Sequence, residues 1–236
     1  MLDFRKKRIL VVAAHPDDEI LGVGATMARL VHEFESTIHV VILGEGLTSR
    51  TEVRDTNHYE TELEEHQKDI VKAQKKIGYH SLKTYPLPDN RFDQLDLLDV
   101  VKVVESEIRS FSPDIIFTHH GGDTNVDHRV TFNAVITACR PLPGQKLQAI
   151  LSFEVPSSTE YQAFNAPMPF LPNFFIAFND QHLKRKLDAM ECYQYEKREF
   201  PHPRSGQALE TIARRWGVNC GHQAAEAFVL VRSIFA

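Results

Sequence analysis

Cysteine is scarce in this chain of 236 residues, with only Cys139, Cys192 and Cys220. They are odd in number and widely spaced, with no CxxC pair. That excludes a disulfide framework and a thiolate zinc site, and it makes a reducing cytoplasm the expected compartment. Long apolar runs are also missing: the longest, Ile9 to Ala14, falls far short of the roughly 18 residues of a membrane span. Basic residues precede that run as in a signal peptide, but charges follow it where a cleavage site should stand, so the N-terminus reads as mature protein. Nor is there an excess of positive charge. Lys and Arg total 27 against 32 Asp and Glu, a formal net charge of −5, which gives no electrostatic case for nucleic acid or an acidic membrane.

What is present is ordinary globular material, 42% apolar and 25% charged, enough for a sizeable core. At about 100–200 residues per domain, and with no repeat or linker in evidence, residues 1–236 are expected to form a single domain. Short β-branched runs alternate with amphipathic ones. Strands are expected at Arg8–Ala14, Ile38–Leu43, Leu82–Tyr85, Asp114–Thr118, Ala149–Val155, Phe174–Phe178 and Ala227–Arg232. Helices are expected at Gly22–Glu35, His58–Ile77, Leu97–Phe111, Val126–Arg140, Gln181–Glu196 and Gly206–Arg215. This alternation predicts an α/β fold, Rossmann-like, with a mostly parallel sheet flanked by helices. From Pro156 to Pro172 the periodicity fails, so the C-terminal third is expected to be more irregular.

Twelve histidines are the one unusual count, and they cluster. Open α/β sheets bind ligands outside the carboxyl ends of their strands, and two polar clusters fall there. Ala14-His15-Pro16-Asp17-Asp18-Glu19 follows the first strand. His119 to His128 follows the Asp114–Thr118 strand. A turn would let His15 and Asp18, three apart, converge on one ion. With His128 they make two histidines and a carboxylate with open positions for water, a set that suits catalytic Zn2+ and also Fe2+ or Co2+. Such an ion acidifies its water and polarises a carbonyl, and Asp17 beside it could act as general base. The plainer alternatives are a solvated turn or helix cap at Asp17-Asp18, and an N-cap at Asn125 or Thr124 with Asp127 as a first-turn acid.

The chain resembles the PIG-L/LmbE family of metal-dependent N-deacetylases in Ala14–Glu19 (AHPDDE), Gly22-Val23-Gly24-Ala25, Gly44-Glu45-Gly46, Asp127-His128-Arg129 and Ala225-Glu226-Ala227-Phe228. The resemblance implies a Rossmann-like domain, a metal (usually zinc) and hydrolysis of an N-acetyl group on an amino sugar. By position it implies His15, Asp18 and His128 as ligands, Asp17 as general base and Asp127 as an orienting carboxylate. Metal-bound water would attack the acetamide carbonyl. Where many members carry a histidine three residues before the ligand histidine, this chain has Asn125, so an oxyanion partner must be Asn125 itself or another histidine. His222 is the favoured substitute and His120 the second; His119 reads as structural.

Asp89-Asn90-Arg91 and Pro201-His202-Pro203-Arg204 are stiff and polar. Asp89, Asn90 and His202 are candidates for sugar hydroxyls, and Arg91 and Arg204 for a phosphate or nucleotide handle. Glu154 leaves a strand end and is a further candidate. The expected partner is thus a small N-acetyl sugar, nucleotide-linked or phosphorylated, with a homo-oligomer possible. Two readings compete with it: an amidase of a larger N-acyl or thiol-linked glycoside, and a non-catalytic, metal-containing sugar-binding module.

Overall fold

The computed structural model describes residues 2–163 and 165–235. Within them six helices flank a sheet of seven strands in the order β3-β2-β1-β4-β5-β7-β6. The strands are β1 (Arg8–Ala13), β2 (Thr37–Gly44), β3 (Ser81–Leu87), β4 (Ile115–His119), β5 (Ala149–Phe153), β6 (Phe174–Ala177) and β7 (Ala225–Ser233). The helices are α1 (Asp18–Phe34), α2 (Glu60–Ile77), α3 (Leu97–Phe111), α4 (Val126–Ala138), α5 (Asp180–Met190) and α6 (Gly206–Cys220). The expected elements are all present. The largest shifts are the end of α5, which stops at Met190 rather than Glu196, the end of α6, which runs to Cys220 rather than Arg215, and the start of α1, four residues earlier.

The first five strands pair in parallel, and β7 runs antiparallel between β5 and β6. In β1, Ile9, Val11 and Ala13 pack into the core beneath α1, α2 and α5. Leu10, Val12 and Ala14 pack into the core beneath α3 and α4. An apolar run without polar alternation is what a strand covered on both faces requires. The chain leaves β1 for β2 on one side and returns to β4 on the other, so the strand order reverses between β1 and β4. That reversal opens a crevice at their carboxyl ends.

Gly22, in the second turn of α1, permits the helix to lie against β5. A Cβ there would stand 2.2 Å from the Phe153 ring, an overlap that would push α1 and its first residue, Asp18, off the sheet.

Candidate active site

The segment after β1 turns sharply to begin α1. Asp17 is the residue preceding the helix and has φ 103°, a left-handed backbone. Its carbonyl accepts from Ile20 and Leu21 N–H at 2.9 and 2.8 Å, and its own N–H donates to Glu19 Oε2 at 3.1 Å. Its side chain makes no capping bond. Such a conformation costs about 1–3 kcal/mol and persists where its surroundings over-determine it. Here it turns the Asp17 carboxylate to the crevice while Asp18, one residue on, receives His15 N–H on Oδ2 at 2.8 Å.

His15, Asp18 and His128 each present a candidate ligand atom, all within 4.8 Å of one another, and all three residues are buried. Asp18 Oδ2 is 3.3 Å from His15 Nδ1 and 3.3 Å from His128 Nε2. Neither ring nitrogen of His128 makes a hydrogen bond, although both are buried. Burial alone would raise the Asp18 carboxyl, but His128 and His119 outweigh it and hold it well below the usual range. Burial opposes a proton on His15, yet Asp127 and Asp18 hold that imidazole well above its ordinary value. Two buried imidazoles, each with a ring nitrogen 3.3 Å from one carboxylate oxygen and one of them without a hydrogen-bond partner, form a cradle suited to a cation. The donor set therefore fits a divalent metal with open positions.

Each histidine of the cradle is braced from behind. Asp127 Oδ2 accepts from His15 Nε2 at 2.8 Å and Asn90 N at 2.7 Å, and its Oδ1 accepts from Phe92 N at 2.9 Å. With its proton on Nε2, His15 turns its Nδ1 lone pair to the cradle. Asp123 Oδ2 lies 3.3 Å from His128 Nδ1 and accepts from Thr159 Oγ1 at 2.5 Å, while Oδ1 accepts from Ser158 Oγ and from Asn125 N at 2.8 Å. Burial would raise Asp123, but His128, Ser158 and Thr159 pull it down to about 2. Sequence reasoning misses Asp123; its one signal is its place five residues before His128 in a strand-end loop. His119, the last residue of β4, lies behind the cradle. Its Nε2 accepts Ala14 N–H at 2.8 Å, its ring stacks on His128 at 3.9 Å, and burial holds it well below its usual value.

Above the cradle lies a cleft of about 340 Å³ lined in part by His15, Asp17, Asp89, Asn90, Asn125, His128, His202 and Arg204. Asp89 Oδ2 accepts from Ser49 Oγ at 2.6 Å, and Asn90 Nδ2 donates to Asp89 Oδ1 at 2.9 Å. Asn125 caps α4 through its Oδ1, which accepts Asp127 N–H at 2.8 Å, and its Nδ2 donates to Asn90 Oδ1 at 3.0 Å. His202 keeps Nδ1 as acceptor for Arg204 N–H at 3.2 Å.

Four expectations are corrected. His222 is exposed and lines a separate groove with Arg29, Glu33 and Asn179, because α6 ends beside β6 at the far side of the sheet. The second substitute, His120, is tied to Met168 O at 2.9 Å and does not line the cleft. Glu154 points beneath the cleft, where it accepts from Trp216 Nε1 in a pocket with Leu21 and Lys186. Arg91 donates to Glu52 O at 3.2 Å and is outside the lining. Arg204 does line the cleft, but its Nη1 is taken by Asp17 Oδ2 at 2.9 Å and Glu196 Oε2 at 2.6 Å. Glu196 likewise escapes a reading of the sequence, in which it is the last residue of an expected helix.

No described helix is long and apolar enough to cross a membrane. The chain is 28% identical over 195 residues to an Escherichia coli K12 protein described as an uncharacterized deacetylase, YaiS, covering 80% of this chain and 92% of that one. Its fold is similar to that of N,N'-diacetylchitobiose deacetylase from Pyrococcus horikoshii, with TM-score 0.75, 19% identity, and 95% and 84% of the two chains covered. A 4-carboxy-2-hydroxymuconate hydratase from Pseudomonas putida shares the fold as well, with TM-score 0.73, 19% identity, and 98% of each chain covered; fold alone therefore does not fix the reaction. The family model described as PIG-L, GlcNAc-PI de-N-acetylase, matches residues 10–139, more than half of the chain, and the chain belongs to that family of N-deacetylases.

Proposed function

We propose that this protein removes the acetyl group from an N-acetylated amino sugar, with His15, Asp18 and His128 holding a divalent metal, zinc first among the candidates, and Asp17 acting as general base. The observation that carries the reading is the pairing of a three-residue cradle with a further carboxylate, outside the cradle, facing the same cleft. A metal in this set supplies Lewis acidity, polarising the acetamide carbonyl and acidifying water.

The chain's own groups supply the proton traffic. Asp17 Oδ2 is held by Arg204, and Oδ1 accepts no hydrogen bond from any described residue. Burial, together with Asp18, Glu196 and Glu19, raises the Asp17 carboxyl well above the usual range despite Arg204. A base so placed takes a proton from the attacking water and returns it to the amine as the C–N bond breaks, releasing acetate and a free amino sugar. Asn125 Nδ2 is the amide donor at the cleft wall. The Ser49, Asp89 and Asn90 network offers fixed acceptors and donors for sugar hydroxyls. Arg204 and Arg91, the basis for a phosphate or nucleotide handle, are committed elsewhere, so the reading is of the amino sugar itself. A binding module would have no use for an unligated carboxylate beside the cradle.

Acetate release from N-acetyl sugars, free, phosphorylated and UDP-linked, by zinc-loaded protein tests this. Wild-type release that Asp17→Asn reduces by ~10²-fold or more is expected. Equal activity in both proteins removes Asp17 as base. No release from any sugar moves the substrate to a larger acyl group.

A further inference from the structure

We infer that Arg204, anchored by Glu196, is a positioning residue that holds one oxygen of Asp17 and thereby aims the other at the substrate. The inference rests on the reading of Asp17 as general base.

Three hydrogen bonds fix the Arg204 guanidinium: Nε donates to Ser157 Oγ at 2.8 Å, and Nη1 to Asp17 Oδ2 at 2.9 Å and Glu196 Oε2 at 2.6 Å. Glu196 is itself fixed, since its Oε1 accepts from Arg50 Nη2 at 2.6 Å. The result is a row of alternating charge, Arg50, Glu196, Arg204, Asp17, in which Glu196 and Asp17 are buried. Arg204 could leave this row for a substrate anion only by stranding two buried carboxylates without their shared partner, an expensive exchange. Its planar fork instead suits it to hold them in one geometry. The Asp17 backbone is fixed independently by the Glu19 carboxylate. Together the two anchors determine both where the side chain starts and where it ends. Ser157, Glu196 and Arg204 all lie outside residues 10–139, so the C-terminal third completes a base that the N-terminal segment carries.

Kinetics of Arg204→Ala, Arg204→Lys and Glu196→Gln on N-acetylglucosamine and N,N'-diacetylchitobiose would test this. Misplacement of a reacting group by ~1 Å costs ~10²-fold, so Arg204→Ala is expected to lose about that much kcat with little change in KM, and added guanidinium to restore part of it. Glu196→Gln, which does not touch Asp17, should lower kcat in the same direction, and the double variant should be no worse than Arg204→Ala alone. A raised KM with unchanged kcat would make Arg204 a substrate contact and overturn the inference. A readout independent of turnover comes from unfolding midpoints of metal-free Asp17→Asn, Arg204→Ala and their double variant, where non-additive shifts are expected and additive ones overturn the pairing. Should the wild type release no acetate, the deacetylase reading fails, while the unfolding cycle still decides whether Arg204 holds Asp17. Arg204→Lys and Glu196→Gln carry the test if Arg204→Ala does not fold.

Discussion

Asp17 and Asp18 are adjacent, chemically identical and both buried, yet they are given opposite environments. Asp18 sits against three imidazoles and is held well below the usual carboxylate range, whereas burial and like-charged neighbours lift Asp17 well above it. That separation suits one carboxylate to a cation and its neighbour to a proton. The left-handed backbone at Asp17 points the two side chains apart, and their bracing residues keep them so. Asp123 is the brace least visible in the sequence. Asp123→Asn removes the charge behind His128 while keeping the shape, and it should weaken zinc binding by about 10–100-fold. Competition against a chromogenic chelator would measure this, and an unchanged affinity would show that His128 needs no such support.

Helix α1 delivers Asp18, and its seating depends on a buried ion pair from the C-terminal half. Lys186 of α5 donates to Glu226 of β7 at 2.6 Å and to Leu21 O at 2.7 Å. Glu226 in turn accepts from Ala25 N and Thr26 N of α1 at 3.1 and 2.8 Å. Both side chains are buried, so removing one strands the other. Glu226→Ala should cost about 3–5 kcal/mol in urea unfolding, and Glu226→Gln, which keeps an acceptor for the helix N–H groups, should cost less. Equal losses would mean that the acceptor retained in Glu226→Gln contributes nothing and that the charge facing Lys186 alone seats α1. The Ala225-Glu226-Ala227-Phe228 segment enters the sequence reading only as part of a resemblance, and the fold gives it a physical role. Its two small residues admit close packing at the sheet, and its carboxylate splints a helix about 200 positions earlier.

Acid should loosen the whole molecule, in part through His66 of α2. Its ring is buried against Tyr193, neither nitrogen has a hydrogen-bond partner, and burial pushes it down to about 4. In the unfolded chain the same group titrates near ~6.5. Between those values the unfolded state binds the extra proton, so stability is full above about pH 6.5 and falls as pH drops through about 4, by roughly 3 kcal/mol from this residue. Unfolding free energies of wild type and His66→Phe across that window would check it: the slope should flatten in the variant. An unchanged slope would assign the acid sensitivity to other groups.

The strands and helices are legible in the sequence because they rest on local periodicity, and β1, buried on both faces, could hardly be anything else. AHPDDE and the later Asp127-His128 are legible as candidate metal-site segments because each cluster carries its own chemistry at the end of a strand. Partners held across long sequence separations are not. Nothing local marks Glu196 or Asp123 as a brace, or separates Arg204 holding a carboxylate from Arg204 free for a phosphate; the residue types fit both. His222 shows the reverse failure, since nearness to the final strand in sequence says nothing of which side of the sheet its loop will face. Sequence by itself determined the element order and which residues could hold a cation or move a proton, because those depend on residue type and short spacing. Tertiary structure alone decided which charge faces which, because burial leaves each charged group only the partners that the fold brings within hydrogen-bond reach.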